Sequence, residues 1–222
     1  TSGVVTLPII TGQTTATVSI RAVNAYGFSA AGTWSKTFTA TELAGVTSTS
    51  WQAVQLLQLS DLHGAIEGTS ANAGTALLTT AFAAERAKNP ATFTISAGDN
   101  IGAAPPISSQ FEELPTIESM NLMKFDVSGF GNHEHDRNIA HVQKVIGASD
   151  FQWVASNYST LEPLKSGAKA AKTYHVIDRG GVKVGFVAGN TEDTKEQIFP
   201  GNLTFGGKDL VISPDATGIN SA

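Results

Sequence analysis

The chain has 222 residues and a formal net charge of −5, and 41% of its residues are hydrophobic. This apolar content excludes a wholly disordered chain, and the net negative charge disfavours nucleic-acid polymers and anionic membranes as partners, since both recruit clustered Lys and Arg. The sequence has no cysteine and no apolar run of about 18 residues, so it predicts neither disulfides nor a membrane-spanning helix.

Residues 1–50 differ in composition from the rest of the chain, because they are rich in Thr and Ser and poor in charged residues. Residues 15–24 alternate apolar and polar side chains, which predicts a β-strand, and residues 34–41 predict a second strand that pairs with the first as a hairpin. The segment from Ser19 to Ser29 resembles the penultimate strand of fibronectin type III modules, and residues 34–41 resemble the last strand. The alternative interpretation is an unrelated Thr-rich β-linker.

We expect the chain to have three consecutive parts. Residues 1–41 would be the C-terminal strands of a fibronectin III-like β module, residues 42–50 a linker, and residues 51–222 a partial second domain. The chain starts without an initiator Met or a recognisable signal peptide, and it ends in a polar string. We therefore expect it to be a mature fragment of a longer protein.

From residue 51 onwards the pattern changes to alternating strands and helices. The predicted strands cover residues 54–59, 92–96, 125–128 and 152–155, and the predicted helices cover residues 72–88, 116–123 and 136–146. Asn72 is the expected N-cap of the first helix. An antiparallel hairpin is predicted from residues 173–177 and 182–188. The repeated βα units predict a layered α/β fold with right-handed crossovers.

Three short polar motifs follow the first three of these strands. They are Asp61-Leu62-His63-Gly64, Gly98-Asp99-Asn100 and Gly131-Asn132-His133-Glu134-His135-Asp136. Because the carboxyl ends of the strands in such a sheet face one crevice, the three motifs should converge there. Carboxylate oxygens and imidazole nitrogens together suit Zn²⁺, Mn²⁺ or Fe²⁺ better than Ca²⁺. Each motif alone is typical of a surface turn, but all three in this order indicate a metal site.

These motifs resemble the first three motifs of calcineurin-like metallophosphoesterases. The longer strings Leu57–Gly64 and Ser96–Ala103 resemble the bacterial branch of 5′-nucleotidases, UDP-sugar hydrolases and 2′,3′-cyclic phosphodiesterases, and the resemblance covers residues 54–207. It implies the amino-terminal half of a layered α/β metallophosphoesterase sandwich. It also implies metal-dependent hydrolysis of nucleotide phosphomonoesters or related phosphodiesters, with two divalent ions such as Zn²⁺ or Mn²⁺ in the complete domain.

The resemblance assigns a role to each motif residue. Asp61 and His63 would bind the first metal, Asp99 would bridge both metals, and Asn132 would bind the second. His133 would be the catalytic imidazole, oriented by Asp136. The substrate phosphate would contact three side chains, which are Asn132, His133 and Asn100.

The sequence also departs from the family pattern. The family supplies further His ligands from the second half of its domain, whereas no histidine follows His175 here. We therefore expect the second metal site to be incomplete and the fragment alone to be weakly active or inactive. We expect it to be stable only with the missing C-terminal half or a neighbouring subunit. His135 stands where the family usually has Phe and is expected to pack or support the site, His141 is expected to be solvent-exposed, and His175 is expected to be structural.

Two classes of function are compatible with these observations. The first is an enzyme outside the cytoplasm, extracellular, periplasmic or on the cell surface, whose partner is a nucleotide or another phosphoester and not a nucleic-acid polymer. The second is a surface or filament protein with a structural or adhesive role, in which the phosphoesterase-like domain is not catalytic. A complete set of His ligands in the parent protein would favour the enzyme.

Overall fold

The protein is described by a computed structural model, which covers residues 53–70 and 73–214 and the backbone of four strands before them. The chain divides into two units, Thr1–Leu56 and Leu57–Ala222. The predicted domain boundary, with its linker at residues 42–50, falls outside the described residues and stays a prediction.

Two strand pairs are described in the first unit. β1 (Thr15–Ile20) pairs antiparallel with β4 (Trp34–Thr39) over its full length. Between them, β2 (Val23–Asn24) pairs antiparallel with β3 (Gly27–Phe28). The predicted pairing of the two long strands is confirmed, although the first ends at Ile20 rather than Asn24. The resemblance of this segment to a fibronectin module stays a prediction.

A four-stranded sheet organises the second unit. Its strand order along the sheet is β5 (Gln55–Leu59), β6 (Thr92–Ser96), β7 (Val127–Ser128) and β8 (Gln152–Trp153). The last three strands are parallel, and every residue of β6 is buried, as expected for an inner strand covered on both faces. The predicted α/β class is therefore confirmed, and the bounds of β6 agree with the prediction.

Three of the described helices lie near their predicted places, and two short ones, at residues 106–109 and 194–197, were not predicted. These helices are α1 (Gly74–Arg86), α2 (Pro106–Ser109), α3 (Leu114–Leu122), α4 (Ile139–Ala148) and α5 (Thr194–Gln197). None of the helices among the described residues is long and apolar enough to cross a membrane.

Local sequence explains where these helices begin. The N-cap of α1 is Ala73, and the predicted cap Asn72 lies outside the described residues. α4 begins three residues later than predicted because the side chain of Asn138 accepts a hydrogen bond from the His141 N–H at 3.1 Å and caps the helix there. His133–His135, just before the predicted start of this helix, form a separate 3₁₀ turn.

The hydrophobic core lies between α3, α4 and the sheet. Ile117, Met120 and Val142 are almost completely buried, and Phe130 packs on Trp153 with ring centroids 4.6 Å apart. α1 covers one side of this core through Leu78 and Phe82, which are partly buried and pack against it. The third motif thus rests on a packed aromatic layer, which gives it a rigid support.

Three antiparallel hairpins complete the second unit. Their strands are β9 (Lys165–Ser166), β10 (Lys169–Ala170), β11 (His175–Arg179), β12 (Val182–Phe186), β13 (Thr204–Phe205) and β14 (Lys208–Asp209). The β11–β12 pairing confirms the predicted hairpin. Its two-residue loop has φ +61° at Gly180 and +78° at Gly181, the left-handed conformation that such tight turns need and that glycine adopts without strain.

Arg179 connects the β11–β12 hairpin to the sheet. Its guanidinium donates to both carboxylate oxygens of Asp126, at 2.7 and 2.5 Å, and to the carbonyl oxygen of Thr92 at 2.9 Å. The same guanidinium lies 5.2 Å from the ring centroid of Phe93. Asp126 is the more buried partner of this ion pair, so loss of Arg179 would leave a poorly solvated carboxylate without its counter-charge.

We expect Arg179→Met to lower the free energy of unfolding by about 1–2 kcal/mol, because a two-pronged bond to a partly buried carboxylate is lost. Urea denaturation measures this change. Lys183→Met on the neighbouring strand is the matched control, since its ammonium makes only an exposed 3.7 Å ion pair with Asp178. Its effect should stay below about 1 kcal/mol. Equal losses of unfolding free energy in the two variants would show that the bond to Asp126 stabilises the fold no more than an exposed ion pair does.

Candidate metal and active site

The turns that follow β5 and β6 run side by side. The backbone N–H of Asp61 donates to the carbonyl of Gly98 at 3.1 Å, that of His63 to Asp99 at 3.0 Å, and that of Gly64 to Asn100 at 2.9 Å. These bonds continue the hydrogen-bonded alignment of the two strands past their ends. Backbone atoms therefore set the spacing of the first two motifs.

Three side chains of the kinds that bind metal ions meet at this point, and they are called the metal-type cluster below. Asp61, His63 and Asp99 each offer one ligand atom, and these atoms all lie within 4.8 Å of one another. The Nδ1 of His63 is 2.9 Å from the carbonyl oxygen of Gly102, which can only accept, so Nδ1 carries the proton. Nε2 is then unprotonated, and its lone pair can bind a metal ion. Two carboxylates and one imidazole with a fixed tautomer fit a divalent ion such as Zn²⁺ or Mn²⁺.

The backbone at these three side chains is strained. Asp61, His63 and Asp99 have φ values of +54°, +45° and +52°, in the left-handed region that costs energy for any residue with a Cβ. Gly131 makes room for the cluster, because a Cβ at that position would overlap the carboxylate of Asp99. Left-handed backbone also occurs away from the cluster, for example at Glu112 and Lys124, but here it falls on three side chains that meet at one point.

The third motif joins the other two through Asp99. One carboxylate oxygen of Asp99 accepts the backbone N–H of His133 at 3.0 Å. The rings of His63 and His133 meet edge to face with centroids 4.7 Å apart. Asn132 starts the 3₁₀ turn, and its side-chain amide makes no hydrogen bond within the described part of the chain. Asn132 thus stands beside the cluster with its amide available.

His133 and Asp136 form a hydrogen-bonded pair. The Nδ1 of His133 donates to a carboxylate oxygen of Asp136 at 2.9 Å, and about a third of each side chain is exposed. Burial alone would lower the pKa of His133, but the bond to Asp136 and the charges of Asp136 and Asp99 outweigh it and raise the pKa above its ordinary value. The imidazole therefore stays protonated to higher pH than a free histidine and can donate a proton from Nε2.

Glu134 is a site residue for which the sequence predicted no role. Its side chain is 1% exposed and accepts three backbone N–H groups, from Asp99 at 2.9 Å, Asn100 at 2.8 Å and Gly131 at 2.6 Å. Burial raises the pKa of its carboxyl to about 6, and the three hydrogen bonds oppose this rise. The sequence signal that could have identified Glu134 is an acidic residue within a motif that packs against the core.

The expected contact of Asn100 with a substrate phosphate is not supported. Its side chain is fully buried. The side-chain oxygen accepts the Ser96 hydroxyl at 2.5 Å, and the amide donates to the Ser128 hydroxyl at 3.0 Å and to Glu134 at 3.1 Å. All of these partners belong to the protein, so Asn100 fixes the loop between the strands and does not face the crevice.

The other histidines lie away from the metal-type cluster. His135 is fully buried, stacks on Phe130 with centroids 5.8 Å apart, and lies 2.8 Å from the Tyr158 hydroxyl. Burial lowers its pKa to about 4. The expected exposure of His141 is wrong: it is only 8% exposed, because its Nε2 donates to the carbonyl of Glu112 at 3.0 Å under a neighbouring loop. His175 lies in strand β11, where a structural role was expected.

A distant loop supports the third motif from behind. The amide of Asn190 donates to the carbonyl of Gly131 at 3.1 Å and to the Tyr158 hydroxyl at 2.8 Å. Asn157 in turn accepts the backbone N–H of Asn190 at 3.0 Å. Sequence reasoning missed this network, because its members are separated by more than thirty positions and belong to no local pattern.

Comparison with known proteins finds several relatives with different names. No family model matches the chain. It is 26% identical to Endonuclease YhcR of Bacillus subtilis over 76% of this chain and 15% of that protein. It is 28% identical to Cell wall protein Lmo0130 of Listeria monocytogenes over 60% of this chain and 21% of that protein. It is 25% identical to the 5′-nucleotidase of Rattus norvegicus over 76% of this chain and 31% of that protein.

Solved structures agree with these relatives. A 5′-nucleotidase precursor from Thermus thermophilus matches with a TM-score of 0.64 and 21% identity, over 76% of this chain and 33% of that chain. The calcineurin-like phosphoesterase YfkN from Bacillus subtilis matches with a TM-score of 0.59 and 19% identity, over 76% of this chain and 56% of that chain. This chain therefore spans only part of the length of the proteins it resembles.

Three independent observations point the same way: the parallel α/β sheet, the three motifs gathered at the ends of β5, β6 and β7, and 5′-nucleotidases among both the curated relatives and the matching structures. The chain is thus similar in sequence to 5′-nucleotidases and has the fold of calcineurin-like phosphoesterases.

Proposed function

We propose that the protein hydrolyses nucleotide phosphomonoesters, or related phosphodiesters, with the help of a divalent metal ion. The observation that carries this proposal is the cluster of Asp61, His63 and Asp99 in direct contact with the His133–Asp136 pair. Metal ligands next to an imidazole that can donate a proton are the two parts that phosphoester hydrolysis needs. Endonuclease YhcR among the relatives supports phosphodiesters as a second substrate class.

Each residue has a defined task in this proposal. Asp61, His63 and Asp99 hold the first cation, which when bound supplies Lewis-acid polarisation of a phosphoryl oxygen. His133 donates a proton from Nε2 to the phosphoryl or leaving oxygen, while Asp136 fixes its orientation. Asn132 offers its amide to the phosphate.

The second cation would have few ligands on this chain. Asp99 would be shared between the two ions, and Asn132 adds only a neutral amide oxygen, which is a weak set without imidazoles. We infer that the second ion binds weakly and that the chain alone turns over slowly. Residues from the rest of the domain or from a neighbouring subunit would complete this site.

A structural role on the cell surface is the second candidate. Cell wall protein Lmo0130 among the relatives supports a location outside the cytoplasm, whether extracellular, periplasmic or at the cell surface. In that case the fold would serve adhesion or assembly and the site would be idle. The two candidates differ in whether the purified chain binds metal and whether turnover depends on His133.

Elemental analysis and p-nitrophenyl phosphate turnover test the enzymatic proposal. We expect one weakly held cation per chain and slow turnover, with kcat lowered by about 10²-fold or more in His133→Ala because the proton donor is lost. His175→Ala is the control, since it removes an imidazole in strand β11. Turnover that is equal in His133→Ala and wild type, or a chain that takes up no cation, would favour the structural role.

A further inference from the structure

Glu134 joins the loop after β6 to the loop after β7. One of its carboxylate oxygens accepts the backbone N–H groups of Asp99 at 2.9 Å and Gly131 at 2.6 Å, so a single atom bridges the two loops. The other oxygen accepts the backbone N–H and the side-chain amide of Asn100, at 2.8 and 3.1 Å. Four donors thus converge on one carboxylate that is shielded from water.

These donors have no partner within a helix or strand. Asp99, Asn100 and Gly131 all lie in loops, so the carboxylate satisfies N–H groups that would otherwise be left unpaired. A second bond runs back in the opposite direction, because the Asp99 carboxylate accepts the N–H of His133, the residue next to Glu134. The two bonds form a closed loop through Asp99, a candidate metal ligand, and the backbone of His133, which carries the candidate catalytic imidazole.

We propose that Glu134 is a positioning residue, whose buried carboxylate holds the Asp99 and His133 loops at the separation that metal binding requires. This inference rests on the proposed function. Glu134 acts through the backbone of Asp99 and does not need to touch the substrate. Its negative charge also lies behind the cluster, where it favours a cation over an empty site.

Glu134→Gln tests the geometry with little change in shape. A carboxamide keeps one acceptor oxygen and replaces the other by an NH₂ group that can only donate. Whichever way the amide turns, two of the four donors lose their acceptor. Glu118→Gln is the matched control, because Glu118 is exposed on α3.

We expect the Mn²⁺ affinity of the full chain, measured by calorimetry, to fall by about tenfold or more in Glu134→Gln and to stay unchanged in Glu118→Gln. Amide hydrogen exchange at Asp99, Asn100 and Gly131 should be slow in the wild type and faster in Glu134→Gln, while amides of α4 stay protected. A residue that only stabilises the fold would lower the melting temperature and speed exchange everywhere, without changing the Mn²⁺ affinity of the folded protein.

Each outcome decides the inference. Unchanged Mn²⁺ affinity in a folded Glu134→Gln overturns it, as does fast exchange of the three amides in the wild type. If Glu134→Gln does not fold, the wild-type exchange of these amides decides alone. If the wild type binds no Mn²⁺, the proposed function fails and, with it, the role of Glu134 in metal binding, whereas wild-type binding with an unaffected variant overturns the role of Glu134 only.

Discussion

Gly131→Ala should weaken metal binding by about a hundredfold or more while the chain stays folded. A Cβ at this position would occupy the space of the Asp99 carboxylate oxygen, so the carboxylate must leave its present position beside Asp61 and His63. Such a displacement costs more than the tenfold to hundredfold that loss of a supporting contact usually costs, because a ligand itself moves. Mn²⁺ titration followed by electron paramagnetic resonance measures the change, and circular dichroism checks the fold.

Gly185→Ala is the control for this substitution. Gly185 lies in β12, and the nearest atom to an added Cβ is 4.0 Å away, which is an ordinary contact. The control should bind Mn²⁺ as the wild type does. Normal Mn²⁺ binding by Gly131→Ala would mean that the Asp99 carboxylate is not a ligand, and the site assignment would have to be abandoned.

Acid should destabilise the protein in a pH range set by His135. The pKa of its buried imidazole is about 4 in the folded protein, against 6.5 for an ordinary histidine. Between these values the unfolded chain binds more protons than the folded one, so the free energy of unfolding falls as the pH decreases from 6.5 to about 4. The contribution is fully present above that range and amounts to about 3 kcal/mol across it.

Two variants separate proton uptake from packing. His135→Phe should flatten the loss of stability between pH 6.5 and 4, because the buried groups that remain oppose each other: burial lowers the pKa of His141, whereas burial raises the pKa of Glu134. Tyr158→Phe removes the hydroxyl that lies 2.8 Å from His135 but keeps the imidazole, so its acid slope should remain. Urea denaturation at several pH values measures these slopes. An unchanged slope in His135→Phe would show that His135 does not control acid stability.

The convergence of the site was predictable from the sequence, because it depends on where strands end. Asp61, His63 and Asp99 follow strands that pair in one sheet, and the regular geometry of a parallel sheet brings such residues together. The layered fold was predictable for the same reason. Apolar runs of strand length alternated with helical patterns, and local periodicity determines both.

Orientation of individual side chains was not predictable in this way. Asn100 and Asp99 are neighbours in one motif, yet Asn100 points into the protein and bonds Ser96, while Asp99 belongs to the metal-type cluster. The left-handed backbone at Asp99 separates the two directions, and no periodic pattern encodes it. The exposure of His141 was predicted wrongly, because a helical pattern shows which residues share a face but not which loop covers that face.

The backbone hydrogen bonds between the first two turns hold the shape of the site without using the side chains that would bind metal. They use the N–H and carbonyl groups of Asp61, His63 and Asp99 and leave the side chains out. Asn tolerates the left-handed conformation of the two aspartates at least as well as Asp does. A descendant of this chain could therefore exchange its ligands for amides and lose catalysis without losing its shape. Shape and activity can drift apart in such a lineage, so a surface protein that keeps this fold is not thereby an enzyme.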